Sequence, residues 1–122
     1  MANILLVEDN FPFIRSQSEF LRYAGHTVST AGDGTEAMDL VANNDFDIII
    51  TDLVMPEKEG IEIIIELSRT APKIKIIAMS GGGRVNATDY LTVARQVGAS
   101  DTLAKPFTGD ELLAAVSRAL SL

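Results

Sequence analysis

The chain has 122 residues, 47% hydrophobic and 22% charged, with 17 acidic against 10 basic side chains, a formal net charge of −7 and no cysteine. One domain of this length buries roughly two thirds of its unfolded surface, and the composition excludes a disordered or membrane-embedded chain. The acidic balance argues against direct nucleic-acid binding, the lack of thiols excludes disulfide, zinc-thiolate and thiol-nucleophile chemistry, and no apolar run nears the roughly 20 residues of a membrane span. A single soluble, cytoplasmic domain over residues 1–122, with no signal segment and no membrane association, is expected.

Ala2 to Val7 reads as a compact apolar strand that stops abruptly at Glu8-Asp9-Asn10. From Pro12 to Ala24, Ile14, Leu21 and Ala24 recur at helical spacing, with Pro12 suited to a first turn and Gly25 to a stop. Thr27 to Ala31 is a second, shorter strand, and Asp33 or Thr35 opens a helix whose buried stripe is Ala37, Leu40 and Val41, closed by Asn43-Asn44. The run Asp47-Ile48-Ile49-Ile50-Thr51-Asp52 is apolar and β-branched without polar alternation, so it reads as a strand covered on both faces that delivers Asp52 to the sheet's edge.

After a Pro56 to Gly60 loop, Ile61, Ile64 and Leu67 mark a third helix ending before Pro72, and Lys73 to Met79 forms a fourth strand ending in Ser80. Gly81-Gly82-Gly83 lead into a helix carrying Ala87, Leu91, Ala94 and Val97, which Gly98 stops. Asp101 to Ala104 is a short fifth strand followed by Lys105-Pro106-Phe107, and Thr108 caps a final helix with Leu112, Leu113, Val116 and Leu120. There is no internal repeat or linker.

Five strands alternating with five helices imply an α/β, flavodoxin-like fold: an open parallel sheet in the order 2-1-3-4-5 with helices on both faces. Such sheets bind ligands at the carboxyl ends of the strands beside the switch point, here between strands one and three. Glu8, Asp9 and Asp52 end those two strands, while Ser80 and Lys105 end the two beyond, so five polar residues distant in sequence are predicted to meet at one rim.

Two bare carboxylates roughly 4 Å apart repel by about 4 kcal/mol at an effective dielectric of 20, so a cation belongs among these acids. Oxygen-only donors favour a hard ion such as Mg²⁺. A divalent metal with the Lys105 ammonium and the Ser80 hydroxyl forms a phosphoryl-binding set, in which Asp52 can attack phosphorus to give an acyl phosphate. Each residue also has a plainer reading: Asp9 as a helix cap, Asp52 as a turn acid, Ser80 as a strand-end cap, Lys105 as an ordinary surface lysine. His26, in the turn after Gly25, is read as structural, and the glycine run lacks the lysine and hydroxyl that would make it a nucleotide loop.

Taken together, Glu8-Asp9, Asp52 with Pro56 and Gly60 after it, Ser80 and Lys105-Pro106-Phe107 resemble the receiver domain of two-component response regulators over essentially the whole chain. The resemblance implies that Asp52 accepts phosphoryl from a histidine kinase, a histidine phosphotransfer protein or a small donor such as acetyl phosphate. It further implies that Glu8, Asp9, Asp52 and the backbone carbonyl of Val54 hold Mg²⁺, that Lys105 contacts the phosphoryl group, that Ser80 moves toward it, and that Pro106 follows a cis peptide. A protein effector of unspecified identity is then expected on the surface around the fourth helix and fifth strand.

The chain departs from the family pattern in places. Thr102 stands where an aromatic residue usually couples to the hydroxyl, leaving Tyr90 as the substitute surface aromatic, and the glycine run makes residues 81–86 a loop expected to order on phosphorylation. Val54 and Gly82 offer no polar side-chain atom to an attacking water, which leaves the acyl-phosphate lifetime open. Two other readings stand beside the switch: a Mg²⁺-dependent phosphohydrolase similar to the haloacid dehalogenases, disfavoured because Val54 occupies the position of their second aspartate, and a docking scaffold that is never phosphorylated.

Overall fold

The computed structural model describes residues 2–53, 60–81 and 87–121, with residues 60, 81 and 87–91 described by backbone alone. Strands and helices alternate as β1 (Asn3–Val7), α1 (Phe11–Tyr23), β2 (Thr27–Ala31), α2 (Gly34–Asn43), β3 (Ile48–Asp52), α3 (Gly60–Thr70), β4 (Lys75–Gly81), α4 (Ala87–Val97), β5 (Asp101–Lys105) and α5 (Gly109–Leu120). The five strands form one parallel sheet in the order β2-β1-β3-β4-β5, as the alternation of elements predicts.

The unbroken apolar character of β3 is explained by its place at the centre: all five of its residues are buried, because helices cover both sides of the sheet. Side chains of successive residues point to opposite faces. On one side Ile4, Leu6, Ile48, Ile50, Ile77, Met79 and Leu103 pack with Ile14 and Leu21 of α1 and Leu112, Ala115, Val116 and Ala119 of α5. On the other, Leu5, Val7, Ile49, Ile76 and Ala78 meet Ala37 of α2, Ile63, Ile64 and Leu67 of α3, and Ala94 of α4. Among the described residues no helix is long and apolar enough to cross a membrane.

The expected boundaries shift where a local hydrogen bond decides them. Helix α1 starts at Phe11 rather than Pro12 because the Asn10 side chain accepts from Phe13 N and caps the turn. Strand β4 runs two residues later than Lys73 to Met79: Ile74 N donates to Ala71 O in the exit turn of α3, Lys75 N opens the ladder by donating to Asp47 O, and Ser80 and Gly81 still pair with Ala104 and Lys105. Leu120 is 46% exposed, since the stripe of Leu112, Val116 and Ala119 already completes the buried face of α5. Thr108 and Glu111 form a reciprocal capping box on that helix. His26 Nδ1 accepts from Ala2 N, tying β1 to the turn after α1.

Gly25 and Gly98, the two predicted helix stops, have φ of 100° and 135°, a region L-residues rarely enter. A Cβ at Gly98 would also run into the hydroxyl of Ser68, which donates to Val97 O across the α3–α4 packing. Gly98→Ala is therefore expected to lower stability by about 1–3 kcal/mol, read from urea unfolding midpoints at unchanged slope.

Candidate functional site

Strand parity decides which polar groups can meet. Glu8 continues β1 by one residue, its N–H donating to Ala31 O, and lies two positions after Leu6. Asp52 follows Ile50 by two and Lys105 follows Leu103 by two, so all three fall on the side of the sheet that α1 and α5 cover. Lys105 reaches back across β4 and donates from Nζ to Glu8 Oε1 at 2.5 Å and to Asp52 Oδ2 at 3.2 Å. Glu8 and Asp52 are buried, at 2% and 9% exposure, and Asp9 lies at the exposed mouth.

Glu8 Oε2 accepts from Asn10 N at 3.0 Å, and the Thr51 hydroxyl donates to the carbonyl of Asp52. Partial burial depresses the Lys105 pKa, but the hydrogen bond to Glu8 and the charges of Asp52 and Glu8 outweigh it, so the ammonium sits above its ordinary value. Desolvation at the rim, with a shared hydrogen bond and repulsion from Glu8, raises the Asp9 carboxyl despite its own backbone N–H and the charge of Lys105.

Glu8, Asp9 and Asp52 each present a carboxylate oxygen, and the three oxygens lie within 4.8 Å of one another. Around a magnesium-sized ion with ligands at about 2.1 Å, oxygens stand about 3.0 Å apart when adjacent and about 4.2 Å when opposite, so the three carboxylates would draw closer together to surround one. The all-oxygen donor set and the crowding of negative charge suit a small hard cation.

Ser80 lies inside β4, 4% exposed, with its Cα in register with Ala104, the residue before Lys105. By alternation with Met79 it belongs to the side that α2, α3 and α4 cover, unlike Asp52 and Lys105. The Lys105–Pro106 peptide is cis, as the resemblance implies. Val54 and residues 82–86 of the glycine loop lie outside the described residues, and Tyr90 is described only as part of the α4 backbone.

Two groups of residues were not singled out from sequence. Phe13 of α1 holds its ring face over Lys105 Nζ, 4.4 Å from the centroid. At the other end of β5, buried Asp101 accepts from Arg118 Nε at 2.6 Å and lies 3.5 Å from Arg95 Nη2, which also donates to the Thr102 hydroxyl at 3.1 Å. The position the family gives to an aromatic ring is thus tied by a guanidinium to α4. A buried acid opening a strand was the available signal for Asp101, since such a carboxylate needs cationic partners.

A parallel α/β sheet with an acid and lysine rim at its carboxyl edge defines the class, and comparison with known proteins supplies the family. A model of the response regulator receiver domain matches residues 4–117. The response regulator MprA of Mycobacterium sp. (strain KMS) is 36% identical over 113 residues, 93% of this chain and 48% of that protein. The DNA-binding transcriptional regulator NtrC of Azospirillum brasilense is 34% identical over 120 residues, 98% of this chain and 24% of that protein. A response regulator receiver domain protein from Clostridium thermocellum has the same fold with a TM-score of 0.90 and 30% identity, covering 99% of this chain and 95% of that one. The chain belongs to the response regulator receiver domain family, whose members serve phosphorylation-dependent signalling in two-component systems. It spans about half the length of MprA and about a quarter of NtrC.

Because folding raises the lysine pKa, the stabilisation from Lys105 is complete below about pH 10.5, the ordinary lysine value, and fades as pH rises through the folded value. Lys105→Met leaves the buried acids without that charge and is expected to cost about 3 kcal/mol at pH 7. In urea titrations the deficit should persist at pH 9 and shrink at pH 11.

Proposed function

We propose that Asp52 is the phosphoryl-accepting nucleophile of a signalling switch, charged by a histidine kinase or a histidine phosphotransfer protein, or by a small donor such as acetyl phosphate. The observation that carries this reading is the convergence of Glu8, Asp9, Asp52 and the Lys105 ammonium at the carboxyl ends of β1, β3 and β5. Among the described residues that rim has a nucleophilic carboxylate, a fixed cation for phosphoryl oxygens and a donor set for a hard metal.

One Asp52 carboxylate oxygen bonds to phosphorus while the bond from phosphorus to the donor's imidazole nitrogen breaks, and the electron pair leaves with the imidazole. Lys105, already within hydrogen-bond reach of Asp52, transfers its donation to a phosphoryl oxygen as charge builds there. Glu8, Asp9, Asp52 and the Val54 carbonyl are the groups that would hold Mg²⁺, which when bound neutralises the other phosphoryl oxygens. Ser80 is the hydroxyl that then moves to the phosphoryl group.

The readout surface is the α4 and β5 face, where the Arg95 bonds to Thr102 and Asp101 and the Arg118 bond to Asp101 couple α4, β5 and α5. Rearrangement of these bonds would alter what a cytoplasmic effector protein meets. Tyr90 and Pro106 complete the proposed switch surface. The domain assists its own phosphorylation and dephosphorylation and is not expected to turn over external phosphoesters.

Intact-mass analysis after incubation with acetyl phosphate and Mg²⁺ tests the reading. A base-labile gain of one phosphoryl group is expected in the wild type and not in Asp52→Asn; no gain with any phosphohistidine or small donor would overturn it in favour of a scaffold. Asp9→Asn, which removes a carboxylate that folding already disfavours in its charged form, is expected to keep or raise metal-free thermal stability while weakening Mg²⁺ binding measured by calorimetry.

A further inference from the structure

Phe13 lies in the first turn of α1, half-buried, with its ring packed against the core that α1 and α5 share. It meets the Phe107 ring edge-on, with centroids 6.0 Å apart and planes at 85°, and its face lies 4.4 Å from Lys105 Nζ. The ammonium is thus located by three contacts: Glu8 Oε1, Asp52 Oδ2 and an aromatic face.

The ring itself is located by one of the two acids that the ammonium serves, Glu8. Asn10 N donates to Glu8 Oε2, the Asn10 side chain accepts from Phe13 N, the Phe13 ring meets Lys105, and Lys105 returns to Glu8 Oε1. This closed circuit runs through the cap of α1 and the end of β5. A leucine at position 13 would fill much of the same volume yet present no negative π-face to a cation.

We infer that Phe13 is a positioning residue for Lys105, holding the ammonium over the rim so that it is already aimed when a phosphoryl group arrives. The inference rests on the proposed role of Lys105. When phosphoryl oxygens draw the ammonium from Glu8 and Asp52, the ring remains as the fixed contact about which it pivots, and the edge-on Phe107 restrains that ring.

The test uses the full chain with lysine ε-carbons labelled with ¹³C, and follows both the Lys105 ε-methylene resonance and phosphorylation by acetyl phosphate across donor concentration. In the wild type the ring current should place that resonance upfield of the other lysines. Phe13→Leu should return it to the common lysine position and lower the maximal phosphorylation rate roughly three- to tenfold at unchanged half-saturation, and Phe13→Tyr should restore both. Phe13→Met serves the same purpose should the leucine variant fail to fold. An unshifted resonance in the wild type, or a leucine variant that is less stable but phosphorylated at the wild-type rate, would overturn the inference and reduce Phe13 to core packing. If the wild type takes no phosphoryl group, the proposed function fails, and the catalytic part of the inference with it, while the resonance still judges the contact between ring and ammonium.

Discussion

Two carboxylates that the fold removes from water share one ammonium, and the arrangement of the rim follows from that sharing. Glu8 and Asp52 end neighbouring strands on the same side of the sheet, where burial leaves little solvent to screen them. Lys105 answers both, so β1, β3 and β5 are coupled at their ends by electrostatics as well as through the ladder. The third acid, Asp9, stands at the exposed mouth with its charge less fully compensated.

The sheet brings these groups together by elementary geometry. Residues two apart share a face, and a parallel strand covered on both sides places its next polar residue where the cover ends. Leu6 leads to Glu8, Ile50 to Asp52 and Leu103 to Lys105 by the same step. The same rule sends Ser80 and Thr102 toward the α4 side. One face of the sheet therefore carries the acids and their cation, while the other carries the hydroxyls, one of them bonded to Arg95 of α4. The Ser80 and Thr102 hydroxyls and the acid rim thus stand on opposite sides of a single β-layer, while Asp101, two residues before Leu103, joins the acid side to Arg95 and Arg118.

Much of this is legible in the sequence because it depends on periodicity. The run Ile48-Ile49-Ile50 admits little but a central strand, and Thr108 with Glu111 announces a capped helix. The convergence of Glu8, Asp9, Asp52 and Lys105 follows from strand order, with the two-residue step along each strand putting Glu8, Asp52 and Lys105 on one side. What stayed hidden depends on pairings between elements far apart in the chain. Arg95 and Arg118 look like ordinary helix cations until both helices are seen to flank Asp101, and Phe13 looks like one more core aromatic until Lys105 arrives beneath its ring. The late start of β4 follows from the turn at residues 71 to 74, where Pro72 at the second position signals not only the end of α3 but a full turn that takes in Lys73 and Ile74.

The ionic cluster on Asp101 has a bearing on solubility. Strand β5 is the last in the sheet and, among the described residues, leaves one row of backbone donors and acceptors without a neighbouring strand. A short strand that opens on a carboxylate gripped by two guanidinium groups is a poor template for a foreign extended segment, because a strand adding there must approach those charges. The side chains that place charge at this border are the same ones that connect β5 to α4 and α5.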